Sequence, residues 1–195
     1  MKYSIEVKTA SSPEWIEAVL SDFPAFLQDH ADCERKASAM AMSLIAKYPD
    51  KEKIIPDLID TAVEELEHFQ QVYDIMLQKQ VPLPTKMLPD PYIHALMEEA
   101  KGGSEASRFL TRLILGSVVE CRGCERFKQV ADHLEDPVLK RFYKELWASE
   151  AKHGNIYVQL ALHYFEEKQV YDRLEALMQK EADILSGLPV RPALH

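Results

Sequence analysis

A glutamate and a histidine stand three residues apart at two places in this chain: Glu65 and His68 in EELEHF, and Glu150 and His153 in SEAKHG. On a helix, positions i and i+3 are neighbours, so each pair turns a carboxylate and an imidazole to the same side. Those side chains, used together, suit divalent metals such as iron and manganese. One such pair by itself means little. Further upstream, however, each pair has a glutamate at matching distance. Glu65 follows Glu34 by 31 residues and Glu150 follows Glu120 by 30, while the two halves are offset by 86 and 85 residues. The pattern Glu…Glu-x-x-His therefore occurs twice, in register.

The surroundings of each position matter more than the spacing. Leu27, Ala31, Ala37 and Ala41 share a helical face with Glu34, and Leu58, Ala62, Phe69 and Val72 share one with Glu65. Leu113, Gly116, Ser117, Gly123 and Phe127 surround Glu120; Tyr143, Leu146, Trp147, Gly154 and Tyr157 surround Glu150. All four carboxylates sit on apolar faces, where a solvated charge does not belong. Four carboxylates turned to one interior need compensation. Two divalent cations, with His68 and His153 completing the donors, supply it. The bland alternatives are solvated helix positions for Glu34 and Glu120, and a pairing of His68 with Glu64 at i, i+4. Glu125 competes with Glu120, because CER occurs at both 33–35 and 124–126. Glu125 lies about 140° round the helix from Glu120, and only 25 residues before Glu150. Glu120 is the choice, and Glu125 is expected to pair with an arginine. His30, one turn before Glu34, is positioned to support it. His94, His133, His163 and His195 read as surface or structural groups.

The elements that must carry these residues are helices. Ser12 and Pro13 open one helix, and a long stretch without Gly or Pro follows Pro24. The Pro49–Asp50 pair stops it. A second long helix is expected over about 52–80, with Pro56 tolerable only in its first turn. Pro82, Pro84, Pro89 and Pro91 mark a crossover loop. A short helix over about 91–101 precedes Gly102–Gly103. Ser104 caps a third long helix to about 133, and Asp136 with Pro137 starts a fourth to about 167. A further helix is expected over about 170–184. Two helical hairpins joined by a longer connection form an all-α four-helix bundle with additional short helices. The expectation is one domain spanning 1–195.

Composition agrees. The chain has 195 residues, 47% apolar and 28% charged, with only 6 glycines, which disfavours an all-β fold rich in tight turns. No apolar run approaches the ~18 residues of a membrane span, and the first residues lack a secretory h-region. Three cysteines suit a reducing compartment, so the expected location is cytoplasmic, with no membrane partner. Cys121 and Cys124 form a C-x-x-C without a second pair or a βαβ setting, and read as helix-packing residues rather than a zinc or redox site. The Tyr143, Trp147, Tyr157 stripe reads as core. The net charge of −9 opposes a generic coat for nucleic acid, DNA included, but leaves room for a local basic patch.

One Glu from each of two helices, with Glu-x-x-His from the other two, is the di-iron carboxylate arrangement of ferritin-like bundles. Small residues beside the carboxylates (Gly116, Ser117 and Gly123; Ala37, Ser38 and Ala41) leave space for an organic group or allow close helix packing. The stretches DHADCERKASAMAMSLI, EELEHFQQVYDIM, SVVECRGCERF and ASEAKHG resemble the bacterial tRNA hydroxylases that act on 2-methylthio-N6-isopentenyladenosine, over nearly the whole chain. The resemblance implies a ferritin-like monooxygenase with two iron ions held by Glu34, Glu65, His68, Glu120, Glu150 and His153. Dioxygen is the implied co-substrate, an external reductase the electron donor, and tRNA carrying the modified adenosine the partner. The alternatives are a ferroxidase or iron-storage subunit, a di-iron monooxygenase of small molecules, and a metal-free interaction bundle. A monomer or dimer is expected, in contrast to a hollow storage shell.

Phosphate contacts need cations. The candidates are Arg108 and Arg112 on the third helix, Lys140, Arg141 and Lys144 on the fourth, and Lys86 in the proline-rich loop. Changing Lys140 and Arg141 together to alanine is expected to weaken tRNA binding and lower the slope of log affinity against log salt by about 1–2. A filter-binding titration at several salt concentrations measures it, and an unchanged slope removes both residues from the footprint.

Overall fold

The computed structural model describes residues 5–86 and 89–195 and contains helices and no strand among them. The helices are α1 (Pro13–Ser21), α2 (Phe23–Lys47), α3 (Ile55–Gln78), α4 (Pro91–Glu98), α5 (Glu105–His133), α6 (Pro137–Leu162) and α7 (Glu167–Gly187), with one 3-10 turn (Glu52–Ile54) before α3. None is long and apolar enough to cross a membrane. The chain forms two compact units. One comprises Pro13–Pro89 and Val190–Leu194; the other comprises the segment up to Ser12, Asp90–Pro189 and His195.

In the first unit α2 and α3 form an antiparallel hairpin. The Gln28 amide donates to the Pro82 carbonyl at one end, and the Ser38 hydroxyl donates to the Ala62 carbonyl farther along. Asp22 caps α2, accepting from the Ala25 amide at 3.2 Å. This cap separates α1 from α2, because its side chain satisfies a first-turn N–H that would otherwise have no partner. The buried stripe of α3 is Leu58, Thr61, Ala62, Glu65, His68, Val72 and Met76. Its three- and four-residue spacing is that of one helix face. Asp57, Asp60, Glu64 and Glu67 lie on the exposed side. The C-terminal segment is tied down by the Trp15 indole on the Ala193 carbonyl at 2.9 Å and by the Leu194 amide on Asp29 at 2.6 Å.

In the second unit α5 and α6 form the long hairpin. Asp136 caps α6 through the Val138 and Leu139 amides, and Ser104 caps α5 through the Ser107 amide. Ser117 donates to the Gly154 carbonyl at 2.7 Å, and the Cys124 thiol to the Trp147 carbonyl at 3.7 Å, which sets the register. Close approach demands glycine at Gly116 and leaves little room for a side chain at Gly154. A Cβ on Gly116 would stand 2.8 Å from the Tyr157 ring, and one on Gly154 would stand 3.1 Å from the Cys121 sulfur. Helix α6 stops at Leu162, short of the expected 167. The reason is local: Glu166 and Gln169 form a capping box that starts α7. The intervening Tyr164 and Phe165 turn onto Phe109, with ring centroids 5.5 and 5.8 Å away. Helix α7 runs 21 residues, longer than the short addition expected.

A buried ion network joins the N-terminal segment, α5 and α7. Arg122, fully buried, holds Glu181 through two nitrogens at 2.7 and 3.0 Å, Glu125 at 2.8 Å and the Thr9 carbonyl at 2.7 Å. Tyr92 donates to Glu181, and Arg126 donates to Ser11. Removing one partner of such a cluster leaves a buried charge uncompensated, at a cost of about 3–5 kcal/mol. Arg122→Ala is therefore expected to lower the urea midpoint by that much stability, and a midpoint equal to the wild type would show that Glu181 finds other compensation.

Candidate metal centre

The first unit brings together Glu34 from α2 with Glu65 and His68 from α3. One donor atom from each lies within 4.8 Å of the others. All three side chains are buried. The phase of the helices explains it. Glu34 falls on the α2 face that also buries Leu27 and Ala31, and Glu65 and His68 fall on the α3 stripe between Leu58 and Val72. His68 Nδ1 stands 3.6 Å from Glu65 and 3.9 Å from Glu34. Those separations are too long for hydrogen bonds. They are short enough for each pair of atoms to reach one ion through bonds of about 2.0–2.2 Å. His30 Nε2 lies 2.6 Å from Glu34 Oε1, with both groups buried, so His30 fixes the orientation of that carboxylate. Phe26 packs against the His30 ring, centroids 5.8 Å apart.

The second unit repeats the arrangement. Glu120 from α5 meets Glu150 and His153 from α6, again with donor atoms within 4.8 Å and again buried. His153 Nδ1 lies 2.8 Å from Glu150 Oε2. Each unit thus presents two carboxylates and one imidazole at one point. The donor chemistry fits a divalent cation: two negative charges in a dry setting need a positive partner, and oxygen with neutral imidazole is an iron or manganese donor set. Glu125, the competing position, points elsewhere. It accepts from Arg122, from the Ser11 amide and hydroxyl, and from Gln129.

Several expectations change. Gly116 and Ser117 serve close helix packing, as the Tyr157 and Gly154 contacts require, and Ser38 does the same on α2. Trp147 is not core. Tyr143 and Tyr157 are fully buried, but Trp147 is 36% exposed, at the margin of the buried stripe, with the Lys128 ammonium 5.6 Å over its ring. The cation candidates form two groups. The hairpin register puts Lys140 level with residue 131, so Arg112 is roughly 28 Å away along the axis. Arg141 and Lys144 are exposed, Arg141 pairing with Glu145 at 2.8 Å; Arg108, Arg112 and Lys140 are partly buried, Arg108 donating to the Gly103 carbonyl. The Glu120–Glu150–His153 level lies between the two groups. Lys86 is exposed. The Arg122–Glu181 network had no local sequence signal, because its partners are 59 residues apart.

This fold, two long helical hairpins carrying paired glutamates and Glu-x-x-His motifs, is the ferritin-like four-helix class, with additional helices. A solved structure described as Protein 43 with aldehyde deformylating oxygenase activity, from Synechococcus, superposes with a TM-score of 0.90 at 32% identity, covering 97% of this chain and 94% of that one. Within that class, the chain belongs to the tRNA-(MS[2]IO[6]A)-hydroxylase (MiaE) family, whose model matches residues 3–195. It is 36% identical to the tRNA 2-(methylsulfanyl)-N(6)-isopentenyladenosine(37) hydroxylase of Pseudomonas putida, over 89% of this chain and 83% of that protein. The protein of the same name from Salmonella typhimurium is 28% identical, over 84% of this chain and 77% of its own length.

Cys33, Cys121 and Cys124 are free thiols. Burial pushes Cys121 up to about 12 and Cys124 up to about 11. A thiol reacts as thiolate, so neither is primed at neutral pH. Iodoacetamide at pH 8 is expected to label both about tenfold or more slowly in the folded protein than in urea, as read by peptide mass spectrometry; equal rates would mean that the helix pair opens readily.

Proposed function

We propose that this chain hydroxylates the isopentenyl group of 2-methylthio-N6-isopentenyladenosine next to the tRNA anticodon, using dioxygen and two iron ions. The carrying observation is the pair of buried donor triads, repeated in register in a chain of the tRNA hydroxylase family. Glu34, Glu65 and His68 would hold one ion; Glu120, Glu150 and His153 would hold the other. Iron held there would supply the redox chemistry for inserting one atom of dioxygen into an allylic C–H bond, with two electrons from an external reductase and two protons taking the other atom to water.

The chain's own contribution is positioning and charge. Each triad carries two carboxylates, whose charge one divalent cation offsets. His30 keeps Glu34 in a single orientation through its 2.6 Å contact. Burial keeps bulk water from the donors, which strengthens each electrostatic interaction there. The modified base leaves the anticodon stack to reach such a buried point. Lys140, Arg141 and Lys144 on one side of the α5–α6 triad, and Arg108 and Arg112 on the other, are the proposed phosphate contacts. The whole chain, residues 1–195, is read as one catalytic domain, working in the cytoplasm as a monomer or dimer.

A second reading draws on the likeness to Protein 43: a di-iron oxygenase acting on a small molecule. Nucleoside mass spectrometry separates them. Protein loaded with iron, reduced without air and then given air together with isopentenylated tRNA is expected to yield a nucleoside one oxygen heavier. Unmodified product alongside turnover of an aldehyde would favour the second reading. Glu65→Ala and His153→Ala are expected to lose iron and abolish hydroxylation. His30→Ala is expected to weaken iron retention about 10–100-fold, measured by competition with a chelator. Full iron content and activity in all three variants would remove the triads from the mechanism.

A further inference from the structure

Helix α5 contains two glycines in its length, and they differ in what keeps them. Gly116 has no room for a side chain, because the Tyr157 ring occupies the place of its Cβ. Gly123 is also buried, yet a Cβ built on it meets nothing within 4 Å beyond its chain neighbours and the adjoining backbone of its own helix. Nothing in the packing forbids a Cβ there. Glycine within a helix weakens it relative to alanine, since its backbone has more freedom to lose. The chain therefore forgoes helix stability at a buried position that its own packing does not constrain.

The place of that gap is specific. Gly123 lies one helical turn after Glu120, on a neighbouring part of the same face. Val119 and Phe127, four residues before and after it, share its side of the helix, and Phe127 is buried. Arg126, a turn onward, is turned to the Ser11 hydroxyl at 3.0 Å. The gap thus lies between apolar residues of its own helix side and one turn from a triad carboxylate. We infer that Gly123 is a specificity-determining residue: the space it leaves receives the branched hydrocarbon arm of the modified adenosine beside the Glu120 triad. This rests on the proposed tRNA hydroxylation and names the residue that makes room for its substrate.

Gly123→Ala and Gly123→Val test it, with iron content, thermal melting and turnover read on each. Both variants are expected to keep iron and to melt at or above the wild-type temperature. Gly123→Val is expected to lower kcat/KM for isopentenylated tRNA by about 10–200-fold, the range one or two methyl groups command in a fitted pocket, with Gly123→Ala between it and wild type. Affinity for an anticodon stem-loop bearing the arm should fall, while affinity for the same stem-loop with plain adenosine stays unchanged. Wild-type turnover in the valine variant overturns the inference, and so does loss of iron or of folding in both variants, since either would make the position a packing requirement. If the wild-type protein itself leaves isopentenylated tRNA untouched, the proposed function fails first and this inference with it; an active wild type and an equally active variant sink the inference alone.

Discussion

Buried carboxylates dominate this protein. Glu34, Glu65, Glu120 and Glu150 all lie inside, on helix faces that are mostly apolar. An isolated carboxylate in such surroundings costs several kcal/mol or more, and evades the cost by taking a proton or a cation. Each unit answers with the same device: two glutamates and one histidine converging on a point, their donor atoms within 4.8 Å. Their helical phase, the small residues that let helices approach, and the caps that fix helix ends all keep those donors in place.

Precision at the triads depends on the rigidity of the hairpins. In α5–α6, Gly116 against Tyr157 and Gly154 against Cys121 bring the backbones close, and the Ser117–Gly154 bond locks the register. A slip of one residue would rotate Glu120 by about 100° off the face it shares with Glu150 and His153. In α2–α3 the Ser38–Ala62 bond has the same effect on Glu34, and His30 adds a direct hold on its carboxylate. Side chains supported in this way keep a donor geometry that a flexible carboxylate would not.

A second set of buried charges does a different task. Arg122, Glu181 and Glu125 bind the N-terminal segment and α7 onto α5, with Arg126 beside them. Burial and the nearby Arg122 charge pull Arg126 down to about 10, the sign of a guanidinium held against strong desolvation, yet charged at neutral pH. This cluster is complete within the protein, since its arginines and carboxylates answer one another. The triads instead gather carboxylates and imidazoles at one point, a donor set that suits a divalent cation.

Much of the site was legible from spacing and periodicity. The paired Glu…Glu-x-x-His pattern named all six triad residues, because a helix of 3.6 residues per turn makes face membership a matter of counting. The same counting turned Glu125 away, and the fold places it on Arg122. The caps at Ser104 and Asp136 were equally local, as were the proline-marked starts. What counting missed depends on contacts between distant segments. The end of α6 at Leu162, the exposure of Trp147, the Arg122–Glu181 pair and the division of the basic residues into two groups about 28 Å apart each required the packing of one helix on another. The small residues show the boundary best. By sequence alone Gly116 and Gly123 are equivalent, two glycines on one face of one helix. Only the tertiary structure separates them, because it decides which has a tyrosine ring against it and which has empty space.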